Sequence, residues 1–165
     1  MILANYWSWL NTIIMNNISS NYDYAPCVMT TLAGEKTTHY SVDYRDQPVN
    51  LYYRLYPVFG KGSTPSDPTV HCLADDVTSS ISNVSFSIQS DPGENLTRTI
   101  TVSGRNASST AFTLTEIGIV RTMLVYTEQA SGAEVPVMLA FIKLEKPISL
   151  QPGEDFTALI EWIEQ

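Results

Sequence analysis

The stretch Phe112-Thr-Leu-Thr-Glu-Ile-Gly-Ile-Val120 decides the fold of this chain. Its apolar side chains first occupy even positions, at Phe112 and Leu114, and then odd positions, at Ile117 and Ile119. Successive side chains of a strand point to opposite faces, so this change of phase predicts a bulge or a corner between Leu114 and Ile117. The glycine between the two isoleucines leaves room for a neighbouring side chain.

Outward from this stretch, further strands alternate with turn signatures such as Asp91-Pro-Gly-Glu and Gln151-Pro-Gly-Glu. In the segment from Ile81 to Ile88, the apolar positions Val84, Phe86 and Ile88 share one face and serines the other. The next segment repeats the pattern, which predicts an antiparallel pair with one face in water. We therefore predict an all-β fold, an antiparallel β-sandwich of jelly-roll or Greek-key type with a short N-terminal helix or arm.

The segment from Val135 to Leu144 is apolar on both faces, so we expect something to cover its second face. The N-terminal segment is one candidate, because its apolar residues recur at three- and four-residue steps, as on one face of a short helix. A neighbouring subunit is the other candidate, and both alternatives stay open. If subunits meet here, the interface residues are Leu3, Tyr6, Trp7, Leu10, Ile13, Val137, Leu139 and Phe141.

Composition divides the chain into an arm and one domain. Residues 1–22 are the predicted arm and residues 23–165 the predicted sandwich, of which 23–75 is an elaboration and 76–165 the core. The segment from Gly60 to Pro68 holds two Gly and two Pro in nine residues, which predicts a surface loop suited to contacts with partners.

The overall charge limits the partners of the chain. Its 165 residues carry a formal net charge of −8. An acidic surface repels phosphate groups, so we expect neither nucleic acid nor a membrane surface as a partner. No uninterrupted apolar run approaches the roughly 18 residues of a membrane-spanning helix.

The residues that carry chemistry are sparse, and none forms a known catalytic motif. We therefore expect no enzyme, no catalytic residue, no cofactor and no metal. Glu116, inside an apolar strand, is a candidate general acid or a structural acceptor for backbone donors at the bulge. The spacing of Cys27, His39, His71 and Cys72 does not match a zinc site. The two cysteines are either packed thiols or a disulfide, and Asp67, Asp75 and Asp76 do not alternate as in a calcium loop.

Five tyrosines between Tyr40 and Tyr56 form the densest aromatic patch of the sequence. Tyrosine rings present flat apolar faces to sugars, so Tyr52, Tyr53 and Tyr56 are a possible ligand platform. A carbohydrate-binding sandwich is therefore the alternative function. In the other interpretation, these rings pack beneath the N-terminal arm.

Several motifs taken together carry a resemblance. They are the run from Thr97 to Ser108, Glu116-Ile-Gly118, Leu139-Ala-Phe-Ile-Lys143 and Pro147-Ile-Ser-Leu-Gln-Pro-Gly-Glu154, followed by an amphipathic last strand. In this order they resemble a C-terminal β-sandwich of structural proteins in tailed-bacteriophage particles. The likeness covers about half the chain and departs from that group in a long loop expected between Arg121 and Pro136.

The resemblance implies a non-enzymatic component of the virion, such as a capsid decoration, head fibre, neck or tail accessory subunit. It also implies a homo-oligomer whose partners are copies of itself and other virion proteins.

Overall fold

The computed structural model describes residues 1–6, 27–39, 55–90, 97–127 and 130–163. Strands account for most of this part of the chain, and residues 4–6 belong to a short N-terminal helix. The strands are β1 (Cys27–Thr30), β2 (Lys36–His39), β3 (Leu55–Gly60), β4 (Ile81–Ser90), β5 (Thr97–Asn106), β6 (Phe112–Thr127), β7 (Ala130–Leu150) and β8 (Asp155–Ile163). No helix in the described ranges is long and apolar enough to cross a membrane.

Two three-stranded antiparallel sheets form the body of the fold, in the orders β3-β6-β7 and β4-β5-β8. The main core cluster contains residues of both sheets, among them Leu114 and Ile117 from β6 and Val102 from β5. Phe59 of β3 meets Phe156 of β8 edge to face, with ring centroids 5.6 Å apart. The predicted all-β antiparallel sandwich with its short N-terminal helix is confirmed, and a separate hairpin of β1 and β2 accompanies it.

The predicted change of phase in β6 is a β-bulge. The register between β6 and β7 shifts between Leu114 and Glu116, so Leu114 and Ile117 both reach the core although one position is even and the other odd. Gly118 then lies on the opposite face. A methyl group added there would come within 2.6 Å of Val58 Cγ2 and 2.8 Å of Met138 Sδ, so this glycine does make room for its neighbours.

The long loop expected between Arg121 and Pro136 is absent from the structure, and that expectation was wrong. Strand β6 continues to Thr127 and β7 begins at Ala130, and pairing reaches Thr127 with Ala130. Small and polar residues such as those from Ala130 to Glu134 give little strand signal. They extend the ladder because pairing uses backbone groups that every residue except proline carries in full.

The alternation predicted that Val84 shares the inner face of β4 with Phe86 and Ile88. The structure shows that it does not. The register against β5 shifts between Ser82 and Ser85, and Asn83 has a φ of 52°. The bulge turns the Val84 side chain outward, where it is 43% exposed, whereas Phe86 and Ile88 pack against the core.

Part of the predicted elaboration belongs to the sandwich itself. Strand β3 pairs with the middle of β6, from Leu55 opposite Arg121 to Gly60 opposite Glu116. Its residues Val58 and Phe59 are buried in the clusters on the two faces of the sheet. The segment that follows β3 then folds back over the outer face of the same sheet through Leu73.

Candidate functional site

The doubly apolar segment of β7 is buried on both faces, as its sequence predicts. On the inner face Ala140 belongs to the main core cluster between the sheets. On the outer face Met138 and Phe141 join a cluster with Leu3 of the N-terminal segment. Val137 and Leu139 join another cluster with Met29 of β1. Much of this outer cover therefore comes from the described N-terminal residues and the β1-β2 hairpin of the same chain.

The N-terminal residues dock along the outer edge of β7 through backbone hydrogen bonds. Ile2 forms a bridge with Ala140. The Leu3 amide donates to the Leu139 carbonyl at 2.9 Å, and the Phe141 amide donates to the Met1 carbonyl at 3.1 Å. This segment therefore extends the β3-β6-β7 sheet and shields its edge.

Asn5, in the N-terminal helix, forms hydrogen bonds with both β1 and β7. Its Nδ2 donates to the Thr30 carbonyl at 2.8 Å and to the Met138 carbonyl at 3.1 Å, and its Oδ1 accepts from the Thr30 amide at 2.8 Å. The side chain is only 6% exposed. An asparagine has donors and an acceptor side by side, so it can satisfy β1 and β7 together. No local sequence pattern indicates this role, because the bonded residues lie 25 and 133 positions away along the chain.

The residues considered for a subunit interface divide into two groups. Leu3, Val137, Leu139 and Phe141 are between 0 and 4% exposed within the single chain, which fits the intramolecular alternative at these positions. Tyr6 is half-buried against the Met29 cluster. The other three candidates lie outside the described residues: Trp7, Leu10 and Ile13.

The Glu116 side chain, at the bulge of β6, accepts hydrogen bonds from the loop that follows β3. Its Oε1 accepts from the Thr64 amide and its Oε2 from the Thr64 hydroxyl, both at 2.5 Å. Thr64 Oγ1 in turn accepts from the Ala74 amide at 2.8 Å. Glu116 and Thr64 are both 1% exposed. Of its two proposed roles, the carboxyl group therefore has the geometry of a structural acceptor, and its backbone donor lies in the loop rather than at the bulge.

The tip of that loop is exposed, as predicted for the segment from Gly60 to Pro68. Asp67 Oδ1 accepts from the Thr69 amide and the Thr69 hydroxyl, both at 2.7 Å, and these bonds lower the pKa of the Asp67 carboxyl group. The loop also meets the N-terminus, because the Ala4 amide donates to the Pro68 carbonyl at 2.8 Å. One side of the loop is therefore occupied by the chain itself.

The described residues contain no group of three or more His, Cys, Asp or Glu side chains that could hold a metal ion. Cys72 is an exposed free thiol rather than a packed one. The side chains of Cys27 and His39 lie outside the described residues. Of the four residues that could form a zinc site, the structure therefore describes the side chains of His71 and Cys72 alone.

The tyrosine platform is described only at Tyr56. This side chain is half-buried, packs against the cluster that contains Leu3 and bonds with Thr122. Burial raises the pKa of its phenol. Tyr52 and Tyr53 lie outside the described residues. At the described position the ring therefore packs against apolar residues of the same chain.

Asn106 is a second structural residue that the sequence did not single out for a role. It is fully buried where β5 ends, and its Nδ2 donates to the carbonyls of Thr110 and Leu150 at 3.0 and 3.3 Å. Its Oδ1 accepts from the Ser108 amide and hydroxyl at 2.9 and 2.7 Å. Asn106 thus holds the turn between the two sheets.

The outer face of the β4-β5-β8 sheet is wet, as the alternation of β4 and β5 predicts. The hydroxyls of Ser85 and Ser103 lie 2.7 Å apart across the two strands. Leu159, 71% exposed on β8, is the most exposed large apolar side chain among the described residues. Among the described residues, this hydroxyl-rich face is exposed to solvent.

Comparison of the chain with protein-family models, with curated proteins and with solved structures gives no significant match.

Proposed function

We propose that the chain is a non-enzymatic structural component of a tailed-bacteriophage particle, a capsid decoration, neck or tail accessory subunit that assembles with copies of itself and with other virion proteins. The proposal starts from the resemblance of the motifs between Thr97 and Glu154. In the fold these motifs lie on β5, β6, β7 and the turn before β8.

One observation carries the non-enzymatic part of the proposal. Five buried polar side chains among the described residues bond to other groups of the chain: Asn5, Thr31, Thr64, Asn106 and Glu116. A reaction centre holds polar groups ready for a substrate, whereas these groups already satisfy backbone or neighbouring side-chain atoms. This use of buried polarity supports a protein whose work is packing and contact.

The motif residues of the resemblance have the same character. Glu116 anchors a loop and Asn106 closes a turn. Glu154 accepts from the Gln151 amide at 2.8 Å in a turn where Gly153 has a φ of 77°. Only residues that tolerate a left-handed backbone fit that glycine position. The resemblance therefore rests on residues that build the sandwich.

The test is to purify particles of the phage that encodes the chain and to identify their proteins by mass spectrometry. We expect the chain at a fixed stoichiometry. Electron microscopy of particles labelled after Gln165 should then place the label at a regular site on the capsid, neck or tail. Absence of the chain from intact particles would overturn the proposal.

A glycan array tests the carbohydrate-binding alternative directly. Specific binding that is lost in both Tyr52→Ala and Tyr53→Ala, with the fold retained by circular dichroism, would replace the structural proposal. We expect no such binding, because the described tyrosine of this patch packs against the protein's own residues.

A further inference from the structure

The outer edges of the β3-β6-β7 sheet are both occupied. Beyond β3, the Val77 amide donates to the Phe59 carbonyl at 2.8 Å, and the Phe59 amide donates to Thr78 Oγ1 at 2.9 Å. Beyond β7, the N-terminal residues supply the partners described above, and the Leu32 amide donates to the Pro136 carbonyl at 3.1 Å. Neither edge offers a free ladder in these regions.

The two edges of the β4-β5-β8 sheet differ in charge. Strand β8 carries the exposed carboxylates of Asp155 and Glu161, and charged side chains on an edge discourage pairing with another chain. Strand β4 has no charged residue from Ile81 to Ser90, and β5 beside it has none from Thr99 to Gly104. The edge at β4 is therefore an uncharged patch two strands wide.

This edge is also open within the described part of the chain. No backbone group of the described residues bonds to the outer side of β4 between Ser85 and Gln89. Ser85, Ser87 and Gln89 are exposed, and the core side chains Phe86 and Ile88 are only half-buried. A strand with unpaired backbone groups and partly open apolar side chains is a template for another strand.

We propose that β4 pairs with β4 of a second copy of this chain, antiparallel about a two-fold axis, so that two three-stranded sheets join into one of six. The net charge points to this edge, because each copy carries −8 and repels its neighbour wherever carboxylates face each other. At an uncharged surface a second copy can approach without this repulsion. This inference rests on the proposed function, since it names the contact through which copies assemble.

The sequence of β4 is self-complementary in one register. With Ser87 opposite its own counterpart, Phe86 faces Ile88 and Ser85 faces Gln89. Apolar side chains then meet on the inner face and polar ones on the outer face, as cross-strand pairs prefer. The bulge between Ser82 and Ser85 ends the regular stretch on one side and so limits the pairing to this segment.

The experiment uses the full chain and sedimentation velocity over a range of concentrations up to about 1 mM, which reaches weak association. We expect a dimer that Ser87→Lys converts to the 18.3 kDa monomer, because the register brings the two introduced ammonium groups together. Thr157→Lys is the matched control, an exposed residue on the same outer face but on β8. We expect it to remain dimeric.

A mixing experiment tests the register itself. Ser87→Glu alone should also be monomeric, whereas an equimolar mixture with Ser87→Lys should recover the dimer through opposite charges. Circular dichroism checks that each variant is folded, as expected for an exposed position. A wild-type monomer up to about 1 mM, or a dimer insensitive to both Ser87 variants, would overturn the inference.

The two proposals fail separately. If the chain is found in purified particles but the Ser87 variants do not alter its association, the β4 contact is wrong and the virion role stands. If the Ser87 variants abolish a dimer but the chain is absent from particles, the contact stands and the virion role is wrong.

Discussion

Glu116 is a candidate general acid in the sequence, but in the structure it is a buried hydrogen-bond acceptor that holds a loop. A carboxyl group inside an apolar strand is costly to bury unless it is bonded. Here the two oxygens accept from the amide and hydroxyl of Thr64, which closes a loop over the sheet. The position was predictable from the pattern, but its partner 52 positions away was not.

We expect Glu116→Ala to lower the free energy of unfolding by about 3 kcal/mol, because it leaves the buried amide and hydroxyl of Thr64 without their acceptor. Glu116→Gln should cost only about 1 kcal/mol, since its amide oxygen still accepts one bond and its nitrogen can donate to Thr64 Oγ1. Urea denaturation measures both. The exposed Glu145→Ala is the control, and equal stability of Glu145→Ala and Glu116→Ala would contradict the structural role.

At the scale of elements, β7 explains why apolar pattern alone does not reveal an interface. The segment from Val135 to Leu144 is apolar on both faces, and this pattern correctly predicted burial on both. Whether the cover is the chain itself or a neighbour depends on where distant residues fold. In this structure Leu3 and Met29 provide cover from the same chain.

We expect Leu3→Asp to release residues 1–6 from β7, because it places a carboxylate in a site that is 0% exposed. The Phe141 amide donates to the Met1 carbonyl. Its hydrogen should then exchange at least about tenfold faster with solvent, since this hydrogen bond opens when residues 1–6 detach. The Val102 amide on the central strand β5 should stay protected. Hydrogen exchange followed by NMR measures both amides.

The control for this prediction is Val28→Asp, an equivalent change at a position that is 53% exposed on β1. It should leave both amides unchanged. Unaltered exchange of the Phe141 amide in Leu3→Asp would show that the N-terminal segment does not depend on Leu3 for its docking.

At the scale of the whole molecule, the net charge of −8 opposes any association between copies. Salt screens this repulsion, with a Debye length of about 30 Å at 0.01 M and about 8 Å at 0.15 M. If copies meet at the uncharged β4 edge, self-association should strengthen severalfold between these salt concentrations. Sedimentation equilibrium measures the change, and association that weakens with salt would instead indicate a contact made by ion pairs.

Much of the sandwich was accessible from local pattern. Alternation identified β4, β5 and β8, and the phase change identified the bulge of β6. The long hairpin of β6 and β7 was missed because its polar end carries no alternation. Val84 was misplaced because the bulge between Ser82 and Ser85, where Asn83 has a left-handed backbone, interrupts the alternation at this position.

The sequence by itself determined the fold class, because alternation along a strand depends only on adjacent residues and the geometry of the extended backbone. Only the tertiary structure decided which distant residues cover each apolar surface of the described sheets. Those outcomes depend on contacts such as that between Met1 and Phe141, 140 positions apart, which no local pattern encodes.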